Sequence, residues 1–213
     1  MGIAEKFVRQ CRKPEGLLGR FVGIAMNRGH AKVRRWGLSH IHTEQSPAAI
    51  LDIGCGGGAA LRDMAFLFPN SRFYAIDYSP EMVSLAKKVN RELAACGRLE
   101  ISLGAISSLP FPDDFFDLAT AFESYYFWPD LIRDLAEIRR VLRPGGMLLL
   151  VNEVYEDGRF HDRNKKWAVW ANMQIHSPQG YRDFLRGAGY SSVEIHEVPE
   201  KNWIAATGRK DRP

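Results

Sequence analysis

Two aspartates bracket a run of glycines in this chain. Asp52 stands two residues before Gly54 in the stretch Asp52-Ile-Gly-Cys-Gly-Gly-Gly58, and Asp77 lies beyond the next apolar segment. Glycines lack a Cβ, so backbone N–H groups can approach a ligand closely. A helix starting at such a turn also presents unpaired N–H donors. A carboxylate just before the turn is a poor neighbour for a pyrophosphate and suits a cationic ligand group. A second carboxylate about 20 residues on, at the end of a strand, is placed for a ribose diol. The Gly-x-x-x-x-Gly-Lys-Ser/Thr phosphate pattern is absent, which disfavours a P-loop nucleotide enzyme. The glycine turn taken alone still admits a dinucleotide.

The elements that must hold these residues alternate between strand and helix. Residues 50–53 form an apolar run that reads as a buried strand, and 59–68 resume as an apolar helix. Residues 72–76 give a second strand that ends at Asp77. Ser79-Pro-Glu81 is a helix start, with a capping side chain, proline at the first helical position and an acid at the dipole's positive end. Met82, Val83, Leu85, Ala86, Val89 and Leu93 then recur at helical spacing, and Gly97 is the expected stop. Further strands are predicted over 99–103, 116–122 and 147–151, and helices over 129–142 and from Ser177 to about 188, with Pro144-Gly145-Gly146 ending the first of these helices. Residues 192–198 and 202–207 read as a hairpin. This order predicts an α/β fold: a doubly wound, mainly parallel seven-stranded sheet closed by a C-terminal antiparallel hairpin. Ligands of such sheets bind at the carboxyl ends of the strands, where strand order reverses.

Composition narrows the function classes. The chain has 213 residues, enough for one domain with a sizeable core. Its 46% hydrophobic content argues against disorder. A net charge of +4 is explained by a solvated surface as well as by an anionic partner. Lys32, Arg34 and Arg35 are expected on such a solvated face. Cys11, Cys55 and Cys96 form no Cys-x-x-Cys pair, so neither a disulfide frame nor a zinc site is expected. No apolar run approaches a membrane span, and the N-terminus, with Glu5, Arg9, Arg12 and Lys13, lacks a signal-peptide core. The expectation is a cytoplasmic protein without a metal, its oligomeric state open and a homodimer included.

Four stretches carry a family resemblance: Leu51-Asp-Ile-Gly-Cys-Gly-Gly-Gly58, Ala75-Ile-Asp-Tyr-Ser-Pro-Glu-Met82, Leu109-Pro-Phe-Pro-Asp-Asp-Phe-Phe-Asp117 and Val141-Leu-Arg-Pro-Gly-Gly-Met147. Over residues 46–154, in this order, the sequence resembles the class I S-adenosylmethionine-dependent methyltransferases, with their Rossmann-like fold. The resemblance implies S-adenosyl-L-methionine as cofactor. It places Gly54, Cys55 and Gly56 against the methionine part, Asp52 near its amino group, Asp77 on both ribose hydroxyls, Tyr78 and Met82 beside the adenine, and Phe122 at the exit of the fourth strand. Many relatives carry an acid before the Leu-Pro-Phe loop that binds the adenine amino group. That place falls at Ala105, followed by Ile106, so only backbone or another side chain can make the contact. Loss of one such bond costs about 0.5–1.5 kcal/mol and weakens binding without abolishing it.

The chain is expected to divide into a helical cap at 1–45, a cofactor core at 46–154, a lid-like insertion at 155–176 and a C-terminal helix and hairpin at 177–213, together one methyltransferase domain. Methyl transfer is an in-line displacement in which positioning supplies much of the catalysis, and a base is needed only for an acceptor that must lose a proton. The acceptor side is expected in Phe122-Glu-Ser-Tyr-Tyr-Phe-Trp128, with Glu123, Tyr125, Tyr126 and Trp128 as candidates, and in His30 of the cap. His161, Trp167, Trp170, Met173 and His176 of the insertion are candidates for the opposite wall. No Asn/Asp-Pro-Pro-aromatic tetrapeptide or Pro-Cys pair of the DNA-methylating groups is present, and no RNA-binding domain is appended. Nucleic acid is therefore disfavoured and a small-molecule acceptor favoured. A protein or RNA acceptor, a silent cofactor-binding protein and a nicotinamide oxidoreductase are the competing classes.

Overall fold

The strands appear where apolar runs are bounded by turn residues. In the computed structural model, which describes residues 16–212, they are β1 (Ala49–Ile53), β2 (Arg72–Asp77), β3 (Leu99–Leu103), β4 (Phe116–Phe122), β5 (Leu142–Asn152), β6 (Ser191–Val198) and β7 (Trp203–Arg209). Cys11 and the charged residues of the N-terminus named above lie outside the described residues. The seven strands form one sheet in the order β3-β2-β1-β4-β5-β7-β6. Strands β1 to β5 pair in parallel, whereas β7 runs antiparallel to both β5 and β6. The expected sheet and hairpin are thus both present. The chain moves from β1 outward to β2 and β3, then returns to β4 on the other side of β1. Strand order reverses between β1 and β4, and their carboxyl ends flank the resulting crevice.

Strand β1 is buried along its whole length, as a central strand covered on both faces must be. Leu51 and Ile53 join one apolar cluster with Ala119, Ala121, Leu148 and Leu150, while Ile50 joins the opposite cluster with Leu61, Met64, Phe73 and Leu118. Alternate side chains of the strand therefore anchor the two helical layers.

The helices are α1 (Gly16–Gly29), α2 (Ala31–Leu38), α3 (Ala59–Leu67), α4 (Pro80–Val89), α5 (Arg91–Ala95), α6 (Leu131–Val141), α7 (His161–Ala171) and α8 (Pro178–Gly187). Two boundaries differ from the periodicity. The helix expected to stop at Gly97 breaks at Asn90, whose buried amide donates to the carbonyls of Gly58 (2.9 Å) and Ala86 (3.0 Å). That side chain is tied to the glycine turn, and the short α5 follows. Strand β5 begins at Leu142, directly after α6, so Pro144-Gly145-Gly146 lies inside its first residues. A register irregularity between Phe116 and Leu118 of β4 accommodates them.

Two helical segments flank the carboxyl ends of the strands. Helices α1 and α2 meet at His30. Helix α7 is fastened at its start by Asn164, whose amide donates to the Tyr155 carbonyl at 2.8 Å and to Asn202 Oδ1 at 3.1 Å. Among the described residues no helix is long and apolar enough to cross a membrane.

Candidate active site

A cavity of about 880 Å³ opens at the carboxyl ends of β2, β1 and β4. Its floor is the turn after β1. The N–H groups of Gly54 and Cys55 both donate to the Ile76 carbonyl, at 2.9 and 3.0 Å, so the turn is pinned to the end of β2. Gly54 has φ +66°, and a Cβ there would lie 2.6 Å from the Ser124 Cβ. Only glycine lets the β1 turn and the β4 exit approach this closely.

Both sequence-singled aspartates reach the cavity. Asp52 is 1% exposed. Its Oδ1 accepts from the Thr120 hydroxyl at 2.9 Å, while its Oδ2 is buried without a partner. Burial pushes this carboxyl up to about 7, against the opposing effects of the Thr120 bond and the Arg34 guanidinium. Asp77 Oδ2 accepts from the Gly56 N–H at 2.8 Å, and its Oδ1 from the Ser79 N–H at 2.9 Å. Burial raises its carboxyl too, opposed by these backbone donors. Cys55 is buried, and its thiol is held well above its ordinary range by that burial, so it is a poor nucleophile.

Tyr78, Met82, Ala105, Ile106 and Phe122 also line the cavity, together with Gly54, Cys55 and Gly56. Every residue the resemblance placed on the cofactor side therefore faces one space. The wall at Ala105 carries no acid, but Ser107 adds a hydroxyl two residues on.

The acceptor-side candidates divide. His30, Glu123 and Trp128 line the cavity. Tyr125 and Tyr126 do not: they are 1% and 2% exposed. The Tyr125 ring packs against Tyr126, Tyr181 and Phe184, and the Tyr126 hydroxyl accepts from the Val154 N–H at 3.0 Å. Their place is the core beneath the site, where the short 3-10 turn Tyr125–Phe127 turns them inward. Of the insertion's candidates, Trp170 reaches the cavity, accompanied by Val169 and Asn172; His161, Trp167, Met173 and His176 are outside it.

Glu123 has φ +55°, a left-handed conformation that L-residues adopt at a cost of about 1–3 kcal/mol. Its N–H donates to the Val151 carbonyl at 3.0 Å, and the next residue, Ser124, donates its hydroxyl to the Ile53 carbonyl at 3.0 Å. The Glu123 carboxyl accepts from the Glu153 N–H at 2.5 Å and from the Tyr126 hydroxyl at 3.3 Å. Burial, and then Glu153, push it well above the carboxylate range.

Arg34 is a correction. Instead of a solvated face it occupies a buried position on the cavity wall, with Nε 2.7 Å from Asp63 Oδ2. Its partner stands 29 residues away on α3, so no local pattern announces the pair. Ser124, Phe127 and Asn27 of the wall were likewise missed; Asn27 donates its amide to the Gly57 carbonyl at 3.0 Å.

A parallel sheet with this strand order, a glycine turn at its switch point and paired carboxylates at the ends of β1 and β2 defines the class I, Rossmann-like methyltransferase architecture. Residues 51–150 match the methyltransferase domain family, and the fold around them is the Rossmann-like fold of S-adenosylmethionine-dependent methyltransferases. It is 30% identical over 159 residues to the malonyl-[acyl-carrier protein] O-methyltransferase of Dechloromonas aromatica, an alignment covering 73% of this chain and 56% of the relative. It is 29% identical over 136 residues to the ubiquinone/menaquinone biosynthesis C-methyltransferase UbiE of Citrifermentans bemidjiense, covering 63% and 56%. The chain thus spans about half the length of these curated relatives. Among solved structures it is similar in fold to phosphoethanolamine N-methyltransferase 2 of Haemonchus contortus, with a TM-score of 0.80, 13% identity, and coverage of 100% of this chain and 61% of that one.

Proposed function

We propose that this protein binds S-adenosylmethionine across the ends of β2 and β1 and transfers its methyl group to a small-molecule acceptor held beyond β4. The observation that carries this is the bare Oδ2 of Asp52: a buried carboxylate oxygen with no protein partner, beside the glycine turn, on a residue that lines the cavity. A buried polar atom left unpaired is costly, and a ligand ammonium would satisfy this one. Asp77 retains acceptor capacity after its backbone bonds from Gly56, Ser79 and Tyr78, which suits a ribose diol. Tyr78 and Met82 would flank the adenine, and backbone at Ala105 and Ile106 or the Ser107 hydroxyl would take its polar edge.

When bound, the donor supplies a methyl group made electrophilic by its sulfonium. The chain's part is to orient the acceptor and keep water out. Phe122, Phe127, Trp128 and Trp170 supply an aromatic wall for both tasks, and aromatic faces favour a nearby cation. Residues 16–45 and 155–176 would close over the acceptor. The related proteins above are named for methylation at oxygen, carbon and nitrogen, so the acceptor's attacking atom has to be read from the chemistry of this chain's own site.

The test is incubation with methyl-labelled S-adenosylmethionine and a metabolite extract. Label in low-molecular-mass products supports the proposal. Label confined to protein or RNA fractions, or tight donor binding with no transfer, contradicts it.

A further inference from the structure

The sheet fixes the order of charged groups along the crevice. Asp77 ends β2, Asp52 lies in β1, Glu123 follows β4, and Glu153 follows β5. If the donor occupies the β2–β1 end, the acceptor meets the β4–β5 end, where the cap brings His30. His30 Nε2 lies 3.6 Å from Glu153 Oε2, with the two side chains 27% and 29% exposed. The Glu153 N–H in turn donates to Glu123. A carboxylate that orients an imidazole beside a reactive position is the arrangement a general base requires, and such pairs are often slightly long before substrate binds.

We propose that His30 is the general base for a neutral, hydroxyl-bearing aromatic acceptor, and that Glu153 is the residue positioning it. With Nε2 turned to Glu153, Nδ1 is the ring nitrogen left to take the proton. The acceptor oxygen bonds the methyl carbon as the carbon–sulfur bond of the sulfonium breaks, and that electron pair remains on sulfur. The hydroxyl proton passes to His30, and the imidazolium so formed faces Glu153.

Two further observations select the acceptor class. Arg34 is the one guanidinium on the cavity wall among the described residues, and it is tied to Asp63 and to the Asn27 carbonyl. An anionic acceptor such as a phosphate or carboxylate therefore finds no free cation there and meets carboxylates instead. Both Glu123 oxygens are already engaged by the Glu153 N–H and the Tyr126 hydroxyl, which leaves it poorly suited to hold an ammonium. What remains is the aromatic surface of Phe127, Trp128 and Trp170, with Val169 exposed at the rim. Burial, with Arg34 adding, lowers His30 to about 4, so the ring is neutral at neutral pH; its lone pair takes the hydroxyl proton only as the methyl group transfers, and the imidazolium then gives that proton up to water. The charged groups facing the pair are Arg34, Glu123 and Arg163, the last opposing the burial effect that raises Glu153.

This inference rests on the methyltransferase proposal, and the experiment separates them. Donor affinity is measured by calorimetry, and methyl transfer is followed to a panel of neutral alkylphenols and to the matching alkylthiophenols. Thiols ionise more readily than phenols and depend less on a base. The expected result is transfer to both sets by the wild type. His30→Ala should lower kcat for phenols by about 10²-fold or more, with donor affinity and thiol transfer held within about threefold. Glu153→Gln should lower phenol turnover by a smaller factor and move the acid limb of the pH–rate profile to lower pH, because the imidazolium loses its carboxylate. Donor binding with no phenol turnover, or equal losses for phenols and thiols in His30→Ala, overturns the His30 role. No donor binding at all overturns the methyltransferase proposal beneath it.

Discussion

The Thr120 hydroxyl donates to Asp52 Oδ1 at 2.9 Å and leaves Oδ2 of the same carboxyl bare. Half of this buried group is satisfied by the sheet, and the other half has no protein partner. That arrangement carries a measurable stability cost. Burial raises the folded carboxyl from 3.8 to about 7. Between those values the folded state holds the proton more tightly than the unfolded chain, so this contribution to stability is present at low pH and lost as pH rises through the folded value. Asp52→Asn removes the ionisation. The variant is expected to melt higher than wild type near about pH 8 and to lose that advantage towards about pH 4, each kcal/mol corresponding to about 2–4 °C. It should also bind S-adenosylhomocysteine more weakly. Melting curves at both pH values and calorimetry check the pair of effects; a variant neither stabilised nor weakened in binding contradicts them.

Gly54 is expected to tolerate no side chain. An alanine there must hold φ near +66° and place its Cβ 2.6 Å from the Ser124 Cβ. The left-handed conformation alone costs about 1–2 kcal/mol. Gly54→Ala should therefore lower the melting temperature and weaken donor binding. Adding Ser124→Gly removes the clash but not the backbone strain, so it should recover part of the loss, a coupling that a double-mutant cycle reads directly. Strict additivity of the two changes would show that the turn and the β4 exit do not touch.

Asn202 holds the insertion to the sheet. It is fully buried with φ +57°. Its Oδ1 accepts from Arg163 (2.6 Å), Asn164 (3.1 Å) and the Tyr155 N–H (3.3 Å), and its amide donates to the Tyr155 carbonyl at 2.9 Å. Asn202→Ala leaves several of these groups unpaired, each at about 1–3 kcal/mol if it stays buried. Amide exchange should quicken across 155–171 well before it does in β1 and β4. Uniform exchange changes over the whole sheet would indicate global destabilisation instead.

The fold was legible in the sequence because its signals are local. Apolar runs bounded by glycine and proline marked β1, β2 and β4, and the Ser79 cap marked α4. That the proposed cofactor-side residues would share one cavity was legible for the same reason, since Asp52, the glycine turn and Asp77 sit at fixed places around two adjacent strands. The rest of the cavity wall was not, because it is assembled over long range. Arg34 looked solvated until Asp63, on another helix, claimed it. Tyr125 and Tyr126 carry the same aromatic composition whether they line a pocket or fill a core, and only the 3-10 turn decides that they face inward. Glu153, a single acid at the end of an apolar strand, has no pattern of its own; its meaning comes from His30, a cap residue far away in the chain.

The central claim is that the donor lies across the β1 turn with Asp77 on its ribose. Calorimetric titration with S-adenosylhomocysteine of the wild type and of Asp77→Ala tests it most directly. Hydrogen bonds to a charged group are worth about 1.5–3 kcal/mol, so the affinity of a variant that still melts cooperatively should fall by about tenfold or more. Absence of binding to the wild type, or unchanged affinity in the folded variant, would contradict it.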